Sequence, residues 1–371
     1  MHIFTYATED ATLYEASQSR NYGLDEILEV RKDVDDAGVG VDVSRILVKF
    51  DLTHISQSVV DANVTASAKY YLNMYDAGSE GLSTTQELYA YPVSQSWVMG
   101  RGKSTSDPIV EEGVSWGYRT GKNEETFWTS SVADTGGTWF ETTGHIGEQT
   151  FVHTDTEHDM RMDVTDIVNK WLHSTIDNNG FILKRSGSVG NDDIATDEGS
   201  STQLGNFKFF SRDTHTIYSP RLEAVWDSSV WSTGSLSNLN ARDLEDVEIY
   251  SPNLKERYTT SFDGKLRIVG RANFPVLTNS PTASAYNVVK YLPSGSQFSI
   301  QDNFTEDVII PYGTGSKVSC DSRGNYIDFN TTGLQSQREY KLLIKVVSGS
   351  YSGSSGTDTE IIDNNFTFFV K

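Results

Sequence analysis

The feature that most constrains this chain is its punctuation. β-Branched and aromatic residues come in short runs, and each run is broken by Gly, Ser, Asn or Asp. Runs of that length and composition suit the half-buried pleat of a strand and are too short for packed helices. Residues 44–50 show the period plainly: Ile46, Val48 and Phe50 point one way, Leu47 and Lys49 the other. With 8 Pro against 30 Gly, the turns lean on Gly and Asx chemistry. The expected class is all-β.

A chain of 371 residues is long for one sandwich and suits two domains, and 37% hydrophobic content is enough to fill two cores. Further strand-like runs precede and follow the first: 3–14, 26–31, 69–75, 88–93, 181–184, 207–210 and 221–226. Close spacing with polar turns predicts a jelly-roll-like β-sandwich over 1–228. One short helix interrupts it at 163–172, where Val164, Ile167, Val168, Trp171 and Leu172 share a face and the turn 177–180 ends it. Residues 229–240, rich in Ser, Thr, Gly and Asn, read as a linker. Eight runs follow (247–250, 265–271, 288–292, 298–301, 308–311, 326–329, 340–347 and 366–370) and predict a smaller immunoglobulin-like β domain over 241–371.

Charge narrows the partners. Thirty basic and 51 acidic residues leave a formal charge of −21, which repels phosphate backbones, so no nucleic-acid partner is expected. Cys320 is the single cysteine, which rules out an intramolecular disulfide and a Cys-based zinc site within one chain. The first residues read as the start of a strand rather than a signal peptide, and no run approaches the roughly 18 apolar residues of a membrane span. No membrane partner is expected.

Residues 96–151 are Trp-rich and loop-like. Trp97, Trp116, Trp128 and Trp139 fall between Gly, Ser and Thr clusters and admit two readings. Either the rings cover one end of the sandwich as packing, or they form a stacking platform for sugar.

Ordered motifs carry a resemblance in each half. In the first, Asn21-Tyr22-Gly23 before Ile27-Leu28-Glu29-Val30, the run from Ser44 to Leu52, Gly113-Val114-Ser115-Trp116, the helix at 163–171 with Asn179-Gly180-Phe181-Ile182-Leu183-Lys184, and Ser219-Pro220-Arg221-Leu222 resemble the bacterial DNRLRE modules. That resemblance implies a jelly-roll sandwich. In the second, Val289-Lys290-Tyr291-Leu292-Pro293, Ser299-Ile300-Gln301-Asp302, Val308-Ile309-Ile310-Pro311, the stretch from Ser319 to Tyr326, Gly333-Leu334 with the run from Tyr340 to Lys345, and Ile362-Asp363-Asn364-Asn365-Phe366 resemble virion structural proteins of large contractile-tailed phages. This second resemblance implies a particle component and brings no catalytic residue.

Candidate chemistry is thin. Residues 153–159 gather His153, Asp155, Glu157, His158 and Asp159; on a strand, His158 would face away from the others, leaving too few ligands together for one ion. The acidic stretches 191–198 and 302–307 lack the spacing of a calcium loop. No Gly-x-Ser-x-Gly, P-loop or dinucleotide fingerprint is present, and no His follows Cys320, which reads as lying in a polar turn. The expectation is a non-enzymatic virion protein of a tailed phage (neck, collar, tail or decoration layer), made in the host cytoplasm. It would need no cofactor or metal and would assemble with other virion proteins or with copies of itself in a symmetric homo-oligomer. The alternative is a carbohydrate-binding or adhesin module that touches glycan through Trp97, Trp116, Trp128 and Trp139.

Overall fold

In a computed structural model, the described residues are 1–34, 41–60, 67–128, 136–141, 146–185, 198–237, 239, 247–272, 289–347 and 359–371. They form two compact units. One holds residues 5–224 apart from a short stretch around Ala68; the other joins Val225–Lys371 with that stretch and Met1–Phe4.

The strands of the first unit are β1 (His2–Tyr14), β2 (Ile27–Val34), β3 (Val41–Phe50), β4 (Lys69–Met74), β5 (Gln86–Pro92), β6 (Gly147–Phe151), β7 (Met160–Asp163), β8 (Phe181–Lys184), β9 (Gly205–Phe210) and β10 (Arg221–Val225). They make one ten-stranded sheet in the order β6-β5-β8-β3-β1-β10-β4-β7, with β2 and β9 branching from β3. The all-β expectation holds, and the alternation read in 44–50 is that of β3. Ile46, Val48 and Phe50 are all at or below 1% exposed, Leu47 packs on the opposite face, and Lys49 on that second side reaches Glu9 at 3.0 Å. Phe50 and Trp171 each pack against Phe181, at 6.2 and 4.6 Å between centroids.

Two helices are present among the described residues where one was expected: α1 (Thr53–Val60) and α2 (Thr165–Leu172). Thr53, Ile55 and Val59 give α1 a strand-like composition, which hid it. Its start is set by Asp51, whose Oδ1 accepts the Thr53 N–H at 2.9 Å and the Thr53 hydroxyl at 2.6 Å. The second helix repeats the device, with Asp163 Oδ1 accepting the Thr165 N–H at 2.9 Å. Both helices thus open on Asp-x-Thr.

The second unit is built from β11 (Val247–Tyr250), β12 (Arg257–Tyr258), β13 (Asp263–Ala272), β14 (Gln297–Asp302), β15 (Val308–Ile310), β16 (Ser319–Asp321), β17 (Gly324–Asn330), β18 (Arg338–Val347) and β19 (Thr359–Val370). They form a four-stranded sheet, β11-β13-β17-β16, and a five-stranded sheet, β12-β19-β18-β14-β15. The two sheets share one core. Leu266, Ile268 and Ile327 come from the first, and Ile300, Leu342, Ile344 and Val370 from the second. Tyr258, Phe329 and Phe368 meet at its centre with centroids 5.0 to 5.7 Å apart. Phe4 belongs to this core, and its carbonyl lies so near Gly333 (φ +85°) that an added Cβ would sit 2.5 Å from it.

Two expectations in this half need correction, the strand at 288–292 and the polar turn at Cys320. The run 288–292 is no strand: Val288 lies outside the described residues, and Lys290 and Tyr291 make only single bridges. Part of 229–240 is tied down, because Trp231 bridges Cys320 in parallel, the Cys320 N–H donates to Val230 at 2.9 Å and the Ser232 N–H to Cys320 at 2.9 Å. Cys320 is consequently not in a polar turn but fully buried in β16, and burial pushes its thiol pKa up.

Candidate functional site

The second face of β3, β5 and β8 is covered by the Trp-rich segment. Its anchor is Asn21, at 0% exposure. The Asn21 amide donates to the carbonyls of Met99 and Val114, each at 2.7 Å, while its Oδ1 accepts the N–H of Gly102 at 2.7 Å and of Gly23 at 3.2 Å. One side chain thereby pins three stretches of backbone, which gives the Asn-Tyr-Gly motif a physical role. The approach is close: a Cβ at Gly102 would lie 2.2 Å from the Asn21 carbonyl oxygen.

The four tryptophans cover a face of the sheet rather than its end. They pack with Leu13, Leu47, Val93 and Ile182, and Trp97, Trp116, Trp128 and Trp139 are 3%, 4%, 0% and 7% exposed. Three of the four indole N–H groups are directed to local acceptors: Trp97 to the Asn179 carbonyl at 2.8 Å, Trp128 to the Ser115 carbonyl at 3.0 Å, Trp139 to Glu141 at 2.8 Å. In this structure none of the four offers an open ring face. Apolar faces of this size are buried where a sheet can take them.

The ring that reaches the surface is Tyr89. Alternation along β5 turns Gln86, Leu88 and Ala90 to one face and Glu87, Tyr89 and Tyr91 to the other, where Tyr91 is buried, Tyr89 half-buried and Glu87 exposed. Tyr89 is half-buried and stacks on Tyr91 (6.3 Å, 25°), which in turn meets Trp139 (6.1 Å, 39°). Directly across the ladder from Tyr89 are Lys184 on β8 and Glu148 on β6. The Tyr89 hydroxyl donates to Glu87 at 2.6 Å, which raises its pKa; burial pushes Tyr91 up to about 12. Glu87, Glu148 and Glu141 are exposed around this ladder.

Beneath the rings lies a charged layer. Lys184, 0% exposed, has its Nζ 4.9 Å from the Trp139 centroid and 5.9 Å from that of Tyr91. Arg45 lies 4.7 Å from Trp116 and 5.1 Å from Trp139. Both engage Glu198: Arg45 in a fork at 2.9 and 3.2 Å, Lys184 at 3.1 Å. Desolvation outweighs Glu198 and holds the Lys184 ammonium down at about 8. Cations under aromatic faces fix the tilt of those rings.

Sequence reasoning passed over Tyr89, Tyr91, Lys184 and Glu198 as ordinary strand and loop residues. The available signal was charge at buried strand positions, Arg45 and Lys184 standing where apolar residues were due. Residues 191–197 lie outside the described residues; Glu198 at their end closes this layer. The other candidate clusters dissolve. Residues 153–159 are turn and coil rather than a strand, with only His158 buried, its Nδ1 3.7 Å from Asp76. Among the described residues no three His, Cys, Asp or Glu side chains gather as a metal site, and no helix is long and apolar enough to cross a membrane.

Residues 3–142 match the model of carbohydrate-binding module family 96. The matched segment contains Arg45, Tyr89, Tyr91, Trp116, Trp139 and Glu141. No curated protein matches the chain. Neither the DNRLRE resemblance nor the virion resemblance finds support in these comparisons.

Proposed function

We propose that the unit of residues 5–224 is a non-catalytic carbohydrate-binding module whose ligand lies on the Tyr89 face. The observation that carries this reading is the family match over residues 3–142, a segment that supplies most of that face. The chemistry fits. A half-exposed tyrosine ring offers an apolar surface to the C–H face of a pyranose, and Glu87, Glu141 and Glu148 offer acceptors to its hydroxyls. Because the stack on Tyr91 and the hydroxyl bond to Glu87 already hold the Tyr89 ring, little side-chain freedom is lost on binding.

A glycan array followed by calorimetric titration tests it. Tyr89→Ala is expected to weaken the glycan found with wild-type protein at least about tenfold, equivalent to about 1.4 kcal/mol. A wild-type protein silent on the array defeats the reading; undiminished binding by Tyr89→Ala moves the ligand to another face.

For the setting we propose a phage particle, where a glycan-binding unit would face the host surface. That proposal rests on the resemblance of the C-terminal half alone. Mass spectrometry of purified particles checks it, and absence of the chain from them ends it.

A further inference from the structure

Phe304, in the turn between β14 and β15, is 92% exposed, the most exposed large apolar side chain among the described residues. It is held firmly. Asp302 Oδ1 accepts the N–H groups of Phe304 and Thr305, each at 2.9 Å, and Oδ2 accepts Arg338 Nε at 2.5 Å. The Asn303 N–H donates to the Glu339 carbonyl at 2.9 Å and its side-chain amide to the Glu339 carboxylate at 3.0 Å. Thr305 Oγ1 donates to Asp307 at 2.7 Å. The Asp302 carboxylate is therefore engaged by the turn itself, and the turn exists as a rigid pedestal for one phenyl ring. Around that ring Glu306 and Glu339 are exposed, Asp307 is half-exposed, and Val308 is 48% exposed. An apolar knob in an acidic collar suits an apolar seat with a basic surround.

The same unit carries such a seat. Six of the seven tryptophans are buried; Trp231 is the exception at 37%, beside Val230 at 57%. Tyr291 stands edge-on to Trp231 at 6.1 Å and 87°, making an aromatic corner. Lys290 adjoins Tyr291 in sequence, and exposed Arg323 lies in the turn that follows β16, the strand on which Trp231 is docked. The two features belong to opposite ends of β14. Gln297, at its start, bridges to Lys317 just before β16, and five residues of strand, roughly 17 Å, separate Gln297 from Asp302. Knob and corner thus do not meet within one chain.

We propose that Phe304 of one copy of this chain seats on the Val230–Trp231–Tyr291 corner of a second copy, with Glu306 and Asp307 facing Lys290 and Arg323. Knob and seat are different surfaces, so the contact is head-to-tail and each added copy leaves one knob and one seat open. Such contacts close into rings or run on as filaments. The proposal concerns the C-terminal unit and stands apart from glycan binding.

Sedimentation velocity on the full chain over a wide concentration range tests it. Wild type is expected to grow beyond the 41.2 kDa monomer, and Phe304→Ser and Trp231→Ala each to weaken association at least tenfold. Mixing the two variants is the decisive arm. Each keeps one intact surface, so the mixture should form a one-to-one dimer and stop there. Glu306→Lys with Lys290→Glu should restore what either alone loses, which covers the case of Trp231→Ala failing to fold. A wild type that stays monomeric, single variants that associate like wild type, or a mixture that stays monomeric overturns the proposal. So does Phe304-dependent flotation on neutral phosphatidylcholine vesicles by a chain that does not self-associate, which would assign the knob to lipid.

Discussion

Gln149 on β6 and Arg161 on β7 are joined through a side chain where a ladder would otherwise be. The Arg161 backbone N–H donates to Gln149 Oε1 at 2.8 Å, and Gln149 Nε2 donates to the Asp159 carbonyl at 3.1 Å. These are the two end strands of the ten-stranded sheet, so a primary amide substitutes for the missing pairing and nearly closes the sheet on itself. Gln149→Ala should remove both bonds. We expect a loss of about 1 kcal/mol in urea unfolding, with faster amide exchange at Arg161 as the local signature. Unchanged exchange there would show that the clasp is ornamental.

Asn21→Ala should be far more severe. It strands two buried carbonyls and the Gly102 N–H, each costing on the order of 1–3 kcal/mol. The expected outcome is a loss of about 3 kcal/mol or more, accompanied by a change in tryptophan fluorescence as the segment over Trp116 and Trp128 loosens. Asn21→Asp should rescue little, since a carboxylate cannot donate to Met99 and Val114.

Asp10 sets a pH dependence. It is 0% exposed; its Oδ2 accepts the Arg212 N–H at 2.7 Å, and its Oδ1 has no partner among the described residues. Burial, with Asp213 nearby, raises its pKa to about 7. A carboxyl raised on folding binds its proton more tightly in the folded state, so stability falls as pH rises from about 4 to about 7 and levels off above. The span corresponds to about 4 kcal/mol at most. Asp10→Asn keeps an acceptor for Arg212 and carries no charge. It should match wild type near pH 4 and exceed it at pH 8 in thermal unfolding, and a constant difference between the two across that range would refute the assignment.

Glu198→Ala should destabilise the first unit by about 2 kcal/mol or more, because it withdraws the carboxylate that Arg45 and Lys184 share in a desolvated layer. If the proposed glycan site is right, the same change should also weaken glycan binding by freeing the tilt of Tyr91 and Trp139. Chemical denaturation and glycan titration separate the two effects.

Much of the architecture was legible. The period of two in 44–50, the apolar stripe of α2 and the runs that became β14, β15, β17 and β18 all report burial of one face, which composition records directly. Helix α1 was not, since β-branched residues argued for a strand while a cap two residues upstream decided otherwise; the repeated Asp-x-Thr was the missed clue. The site was the least legible part. Tryptophan content drew attention to rings that are buried because they are large. The surface ring, Tyr89, is marked only by which strands neighbour β5, and pairings across the sheet leave no trace in a single sequence.

Phe4 has a consequence for synthesis. It lines a core whose other members begin only at Leu239, so the ribosome releases the first piece of that core more than two hundred residues ahead of the next. During that interval the phenyl ring waits on β1 without the core it was made for. The later strands of that core must find a residue translated more than two hundred residues before them, which ties completion of the second unit to a β1 already in place.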